Sequence, residues 1–184
     1  MPQITIRLLA LPDLPAYKAL RDEALRTAPE AFTSDYATEI LKPHSAYSSR
    51  LGEAQSGHCM WGAFDEKGAL LGSIALQKEA RFQQQHCAHV VGMMVASAAQ
   101  GHGIATQLIA ACAYSARATD RLDQLILTVT ASNLYVVRLY ERAGFKPWGL
   151  LPRAIKVNGR YFDKLHMRLD LRLDVTAAAS SLSE

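Results

Sequence analysis

His89-Val90-Val91-Gly92-Met93-Met94-Val95, then Ala96 to Ala99, then Gln100-Gly101-His102-Gly103-Ile104-Ala105-Thr106, is the stretch whose reading decides the fold. An apolar run of strand length feeds a short loop, two glycines one residue apart, and a segment with apolar residues at Ile104, Leu108, Ile109 and Cys112. That last spacing is helical, so the stretch reads as strand, glycine turn and helix. The backbone N–H groups of a helix's first turn have no partner inside the helix and carry about half a positive charge between them. Glycines just before that turn remove the Cβ atoms that would hold a bulky anion away. A phosphate or pyrophosphate is the expected guest.

Two familiar phosphate loops are excluded on residues. A P-loop needs GxxxxGK[ST], and no Lys-Ser or Lys-Thr occurs in the chain. A dinucleotide fingerprint needs a third small residue where Thr106 stands, and Asp123, the acid at about the right distance, precedes the next strand instead of ending it. Downstream lies Asn133-Leu134-Tyr135-Val136-Val137-Arg138-Leu139-Tyr140-Glu141-Arg142-Ala143-Gly144-Phe145, a capped amphipathic helix with a glycine stop.

With Gln100-Gly101-His102-Gly103-Ile104-Ala105 matching Q/R-x-x-G-x-G/A, Val95 upstream and the Asn133 to Phe145 segment downstream, the chain resembles the GNAT superfamily of acyl-CoA-dependent N-acyltransferases. A weaker resemblance extends from about Ile4 to Leu171. It implies an α/β (α+β) fold with a mixed central sheet of about seven strands flanked by helices, its parallel strands four and five splayed apart. It implies acetyl-CoA as co-substrate, with no metal. Met93, Val95, Gln100, Gly101, His102, Gly103, Ile104, Ala105, Thr106 and Asn133 are the residues that the resemblance assigns to it.

Size and composition bound the rest. A chain of 184 residues can form one domain with a substantial core, expected over residues 1–173 and followed by a disordered tail at 174–184. Charged residues at 20% and hydrophobic ones at 49% are ordinary for a soluble protein. The longest apolar run, Leu108 to Tyr114, is far short of the roughly 18 residues of a membrane span. Pro12, Asp13 and Pro15 interrupt the apolar stretch near the N-terminus, which argues against a secretory signal and for a cytoplasmic location. Cys59, Cys87 and Cys112 are scattered, with no CxxC spacing, and read as reduced packing residues. A net charge of +3 is too small to imply nucleic acid. The nine Lys and Arg between Arg138 and Arg172 read either as solvated strand faces or as cations around CoA phosphates or an acidic partner.

In chain order, Ile4 to Leu8 alternates as a half-buried strand, and Asp13 is the expected N-cap of a helix carrying Leu14, Tyr17, Leu20 and Ala24 on one side. Pro29 to Phe32 reads as a loop, and a Ser34-capped segment as a short helix closed by Pro43. His44 to Leu51 reads as a helical turn, and Gly52 to Gly57 as a polar loop. The runs Cys59 to Phe64 and Ala69 to Leu76, joined by Asp65-Glu66-Lys67-Gly68, predict an antiparallel hairpin. Leu125 to Val129 predicts a strand covered on both faces and parallel to the Val90 strand. Arg153 to Val157 and Tyr161 to Leu169 predict a second hairpin turning at Asn158-Gly159.

The chemistry follows from acyl transfer to an amine, where the nucleophile must be neutral and the departing thiolate must be protonated. By resemblance, Tyr140 is the general acid; its alternative reading is a core aromatic on the buried helix face. The resemblance expects a carboxylate base on or near the fourth strand, where the sequence offers His86 and His89 with no acid between Glu79 and Val95. On an unbulged strand His89 shares a face with Met93 and Val95, making it the better base candidate, with a structural histidine or an already neutral amine as the alternatives. The main-chain N–H near Val95 takes the polarising role the family gives it. Phe32 and Tyr36 flank the expected acceptor groove as candidate substrate contacts, or as core. The expected activity is acetyl transfer from acetyl-CoA to a primary amine of a small molecule or peptide in a ternary complex, by a monomer or homodimer without nucleic-acid or membrane partners. A catalytically inactive acyl-CoA-binding sensor is the alternative.

Overall fold

The computed structural model describes residues 3–51 and 58–172. The Gly52 to Gly57 loop, the tail at 174–184 and the domain limit at residue 173 lie outside the described residues. Seven strands form one mixed sheet: β1 (Thr5–Leu8), β2 (His58–Phe64), β3 (Leu70–Lys78), β4 (Cys87–Val95), β5 (Gln124–Thr130), β6 (Lys146–Val157) and β7 (Arg160–Asp170), in the spatial order β1-β2-β3-β4-β5-β7-β6. Four α-helices connect or cover them: α1 (Leu14–Thr27), α2 (Tyr36–Glu39), α3 (Ile104–Arg117) and α4 (Leu134–Arg142). No helix among the described residues is long and apolar enough to cross a membrane.

The middle of the sheet is covered on both faces, and alternation along its strands separates two cores. Ile74, Leu76, Ala88 and Val90 face α3 and α4, packing with Ile104, Leu108, Leu125 and Leu139. Ala75 and Met60 face the other way, toward Tyr17 and Leu20 of α1 and Tyr47 of the 3-10 segment His44–Arg50. Leu108 and Ile104 are 0% and 2% exposed, and burial of that completeness stabilises by about 1.5 to 3 kcal/mol per side chain.

One residue changes the geometry of β4. Its pairing with β3 runs Gly72↔Val95 and Ser73↔Met94, then jumps to Ala75↔Val91, so Gly92 and Met93 stand against Ile74 alone. Gly92 takes φ +62, a left-handed conformation that a side chain would resist. The bulge inverts the alternation: Ala88 and Val90 belong to the α3 face, but beyond the bulge Met94 joins the α1 face while Met93 and Val95 pack toward α3. His89 therefore lies on the opposite face from Met93 and Val95, correcting the unbulged expectation.

The parallel pair is short. β4 and β5 match only at Cys87↔Gln124, Ala88↔Leu125 and His89↔Ile126, while β5 stays paired to β7 as far as Thr130↔Lys164. Beyond His89 the two strands diverge, as expected.

Three local expectations need correction. Asp13 stands at the N-cap position of α1, as expected, but its side chain makes no cap bond there; its carboxylate accepts from the N–H of Ala10 at 2.8 Å and pairs with Arg7. Asp35, not Ser34, stands at the N-cap of α2 and accepts from Thr38 N at 2.8 Å, while the Ser34 hydroxyl accepts from Arg21 at 3.2 Å. β6 begins at Lys146 and runs through Pro147 and Pro152. An outermost strand tolerates proline, and residues 152–154 bulge out against Asp163, with Arg153 at φ 53.

Candidate active site

Where β4 and β5 part, a cleft of about 1180 Å³ opens, lined by both strands, the loop before α3, the start of α4 and the Phe32 region. Its floor follows from the bulge. The Ser73 hydroxyl, fully buried, donates to the freed carbonyl of Gly92 at 3.0 Å and holds the distorted strand in place. Ala96 N–H donates to Leu71 of β3 at 2.8 Å. Backbone groups alternate sides along a strand, so the amide of Val95, one residue earlier, faces the gap. Met93 and Val95 both line the cleft.

The glycine loop supplies the next wall. Gly101 and Gly103 take φ +81 and +75, and a Cβ built on either would meet nothing within 4 Å. Both positions thus need glycine for conformation, and both leave open space before the helix. Gln107 N bonding Gly103 O at 3.2 Å begins the helical ladder, so the amides of Ile104, Ala105 and Thr106 have no intrahelical partner, and no side chain caps them. Donors converge on an open concavity, which suits a diphosphate. Gln100, Gly101, Gly103, Ile104, Ala105 and Thr106 line the cleft. His102 does not: its Nδ1 donates back to the carbonyl of Gln100 at 2.9 Å, bracing the loop from behind. Gly72 fits this packing, since a Cβ there would come within 2.9 Å of Met94 O and 3.3 Å of Ile104.

Opposite stands α4. Asn133 Oδ1 accepts from Val136 N at 3.2 Å, the expected cap. The helix ends in a Schellman pair, Phe145 N to Tyr140 O at 3.0 Å and Gly144 N to Glu141 O at 2.9 Å, with Gly144 at φ +93. Phe145 consequently folds back edge-on to Tyr140, ring centroids 5.5 Å apart at 69°. Tyr140 is 4% exposed and lines the cleft. Burial, with a smaller contribution from Cys112, pushes its hydroxyl well above the ordinary tyrosine range. Such a phenol stays protonated throughout neutral pH and can donate but not accept a proton.

The far end of the cleft belongs to residues that sequence reasoning missed. Arg21 of α1 bonds the buried carboxylate of Glu39 at 2.9 Å, and the Tyr47 hydroxyl donates to the same oxygen at 2.7 Å. Burial raises the Glu39 pKa, but hydrogen bonds from Lys42, Tyr47 and Arg21 outweigh that and bring it down to about 2. Arg21 interrupts the buried face that carries Tyr17, Leu20 and Leu25, the one signal in the sequence that could have flagged it. Lys164 is 6% exposed and donates to Ala31 O at 2.9 Å, Thr130 Oγ1 at 3.0 Å and Glu30 O at 3.3 Å, tying the turn Pro29–Ala31 to β5 and β7. Burial lowers its pKa. Nothing in the alternation of β7 marks it.

Phe32 lines this end; Tyr36 does not. His89 also lies outside the lining, half-exposed, its Nε2 against Glu79 Oε1 at 2.9 Å. Two residues that looked unrelated in sequence pair there because β3 and β4 run antiparallel. Among the described residues the cleft lining contains no Asp or Glu, and no three His, Cys, Asp or Glu cluster together.

Comparison with known proteins agrees with this geometry. Among curated proteins, none matches the chain. Among solved structures, the GCN5-related N-acetyltransferase of Kribbella flavida superposes with TM-score 0.79 at 23% identity, over 91% of this chain and 97% of that one. The ribosomal-protein-alanine N-acetyltransferase of Brucella melitensis gives 0.75 at 25%, over 90% and 99%. The yncA protein of Salmonella typhimurium, solved with its cofactor acetyl-CoA, gives 0.74 at 20%, over 92% and 94%. Residues 17–145 match the family model described as "Acetyltransferase (GNAT) family". A span from α1 to the glycine stop of α4 takes in the splayed strands, the glycine loop and Tyr140 together, and on that match the chain belongs to the acetyltransferase (GNAT) family.

Proposed function

We propose that the protein moves an acetyl group from acetyl-CoA to a primary amine by direct attack, with both substrates bound in the one cleft. The observation that carries the reading is the open glycine turn with unpartnered helix amides at one end of the cleft and the buried, proton-bearing Tyr140 in its wall. Gly101, Gly103 and the amides of Ile104 to Thr106 would hold the diphosphate. The bound substrate supplies an activated thioester whose departing thiol has an ordinary pKa near 8.5. Val95 N–H acts on the carbonyl oxygen, and Tyr140 gives its proton to the departing sulfur and regains one from the solvent that takes up the amine's proton.

The base is the step where the sequence reading changes. His89, on the other face of the bulged strand and held by Glu79, has no support as the proton acceptor. Instead the amine enters neutral and solvent removes the proton after attack. Arg21, Arg50 and Lys164 line the cleft with no carboxylate among its described residues. Glu39 neutralises Arg21, so Arg50 and Lys164 supply the like charge that disfavours an ammonium, lowers the pKa of an incoming amine and enriches its reactive form.

Thermal-shift measurements with acetyl-CoA, NAD and ATP, followed by CoA release with a panel of amines, test this. Stabilisation by acetyl-CoA alone and amine-dependent CoA release are expected. Stabilisation by NAD or ATP instead, or acetyl-CoA binding with no turnover of any amine, would contradict it, the latter in favour of a sensor.

A further inference from the structure

The other end of the cleft from the glycine loop is cationic, and one of its cations has no anionic partner among the described residues. Arg50, at the end of the 3-10 segment His44–Arg50, lines the cleft, and its guanidinium lies 5.2 Å from the centroid of the Tyr47 ring. Arg21 lies 5.7 Å from the same centroid, so one buried ring positions both. Their circumstances differ. Arg21 is neutralised by Glu39, whereas Arg50 meets no carboxylate among the described residues. Lys164, the third cation of the lining, has all three ammonium protons directed at neutral oxygens. Ser34 Oγ accepts from Arg21 at 3.2 Å, which leaves its own hydrogen to donate into the cleft.

Resting on the acetyltransferase reading above, we infer that the acceptor is a small amine carrying its own anionic group, a carboxylate or phosphonate, which Arg50 receives while the amine points toward Val95. Two physical points support this choice of acceptor over a plain amine or a polyamine. A second cationic group would be repelled by Arg50, which no described acid balances, whereas an anion is drawn in. The fork of donors on a guanidinium fits a carboxylate or phosphonate with two parallel hydrogen bonds, and the cation–π contact with Tyr47 pre-orders it. The anion also restrains the substrate, so the neutral-amine requirement falls on the amino group alone.

Matched acceptors test the inference: L-leucine against L-leucinamide and 3-methylbutylamine, and 1-aminoethylphosphonate against ethylamine, each assayed by CoA release with KM expressed as the concentration of neutral amine. A charge-assisted hydrogen bond contributes about 1.5 to 3 kcal/mol, so kcat/KM for the acid-bearing member should exceed its neutral partner by about 10- to 100-fold, through KM. Arg50→Met should erase the preference, Arg50→Glu invert it and Arg50→Lys keep most of it, with acetyl-CoA affinity the same in all four proteins. Calorimetric titration of N-acetyl-leucine onto the CoA-saturated proteins should give the same order without turnover. The carboxylate and phosphonate arms show which anion fits better. Wild-type protein using the neutral amines as well or better, or Arg50→Met keeping the preference, overturns the inference and leaves acetyl transfer standing. No turnover of any amine overturns acetyl transfer itself, and this inference with it.

Discussion

The two ends of the cleft are built from different materials. At the glycine loop the working groups are backbone: amides at the start of α3, the edge of a bulged β4, and a helix whose Schellman ending aims Tyr140. At the other end they are side chains: Arg21, Arg50 and Lys164, brought together from α1, the 3-10 segment and β7. Backbone sites leave periodic, local marks in a sequence. Side-chain sites assembled from distant segments leave almost none.

Substitutions can break that contrast, beginning with the largest effect. Gly103→Glu places a carboxylate where a Cβ now meets open space and where φ is +75, so acetyl-CoA should cease to shift the melting temperature of a protein that circular dichroism shows to be folded. Tyr140→Phe should lower kcat by about 100-fold or more while the KM for acetyl-CoA changes little. An unchanged kcat would return Tyr140 to the role of a core aromatic.

Lys164→Met acts at the other end. It strands the Ala31 carbonyl, at a cost of about 1 to 3 kcal/mol, while the Glu30 carbonyl still accepts from Thr130 Oγ1 at 2.8 Å. Loss of a buried cation offsets part of that. A net loss of about 1 to 3 kcal/mol in denaturant titrations is expected, with a raised acceptor KM and unaltered acetyl-CoA binding. His89→Ala should leave the acidic limb of the kcat/KM profile where it was, since the ring stands outside the cleft.

Glu39 gives a pH signature of the same end. Its pKa falls from an ordinary 4.5 to about 2 in the folded chain. A depressed carboxylate contributes stability that is full above the unfolded value and is lost as pH falls through the folded one. The melting temperature should therefore drop between about pH 4.5 and about pH 2, more steeply than in Glu39→Gln. At the backbone end, Asn133→Ala removes a cap and should cost about 1 kcal/mol.

Much of the fold was legible for the same reason. Strand, glycine turn and helix, the parallel pair, both hairpins and the Gly144 stop follow from periodicity and turn chemistry, and the structure bears each of them out. The bulge at Gly92 was not, because a single inserted residue leaves an apolar run looking continuous, yet it reverses which face His89 occupies. The expected strand from Arg153 starts later than β6 does, since an outermost strand runs on through Pro147 and Pro152 from Lys146. Residue type alone marks Asp13 and Ser34 as capping side chains, whereas in three dimensions the Asp13 carboxylate pairs with Arg7 and the Ser34 hydroxyl accepts from Arg21. The charged wall depends on pairs such as Lys164 and Glu30, separated by 134 residues, that no local pattern joins.

Amide NMR of the uniformly 15N-labelled protein during acetyl-CoA titration tests the central claim most directly. The account predicts that the largest shifts fall on Gly101, Gly103, Ile104, Ala105, Thr106 and Val95. Saturable binding that leaves those amides unmoved would contradict it.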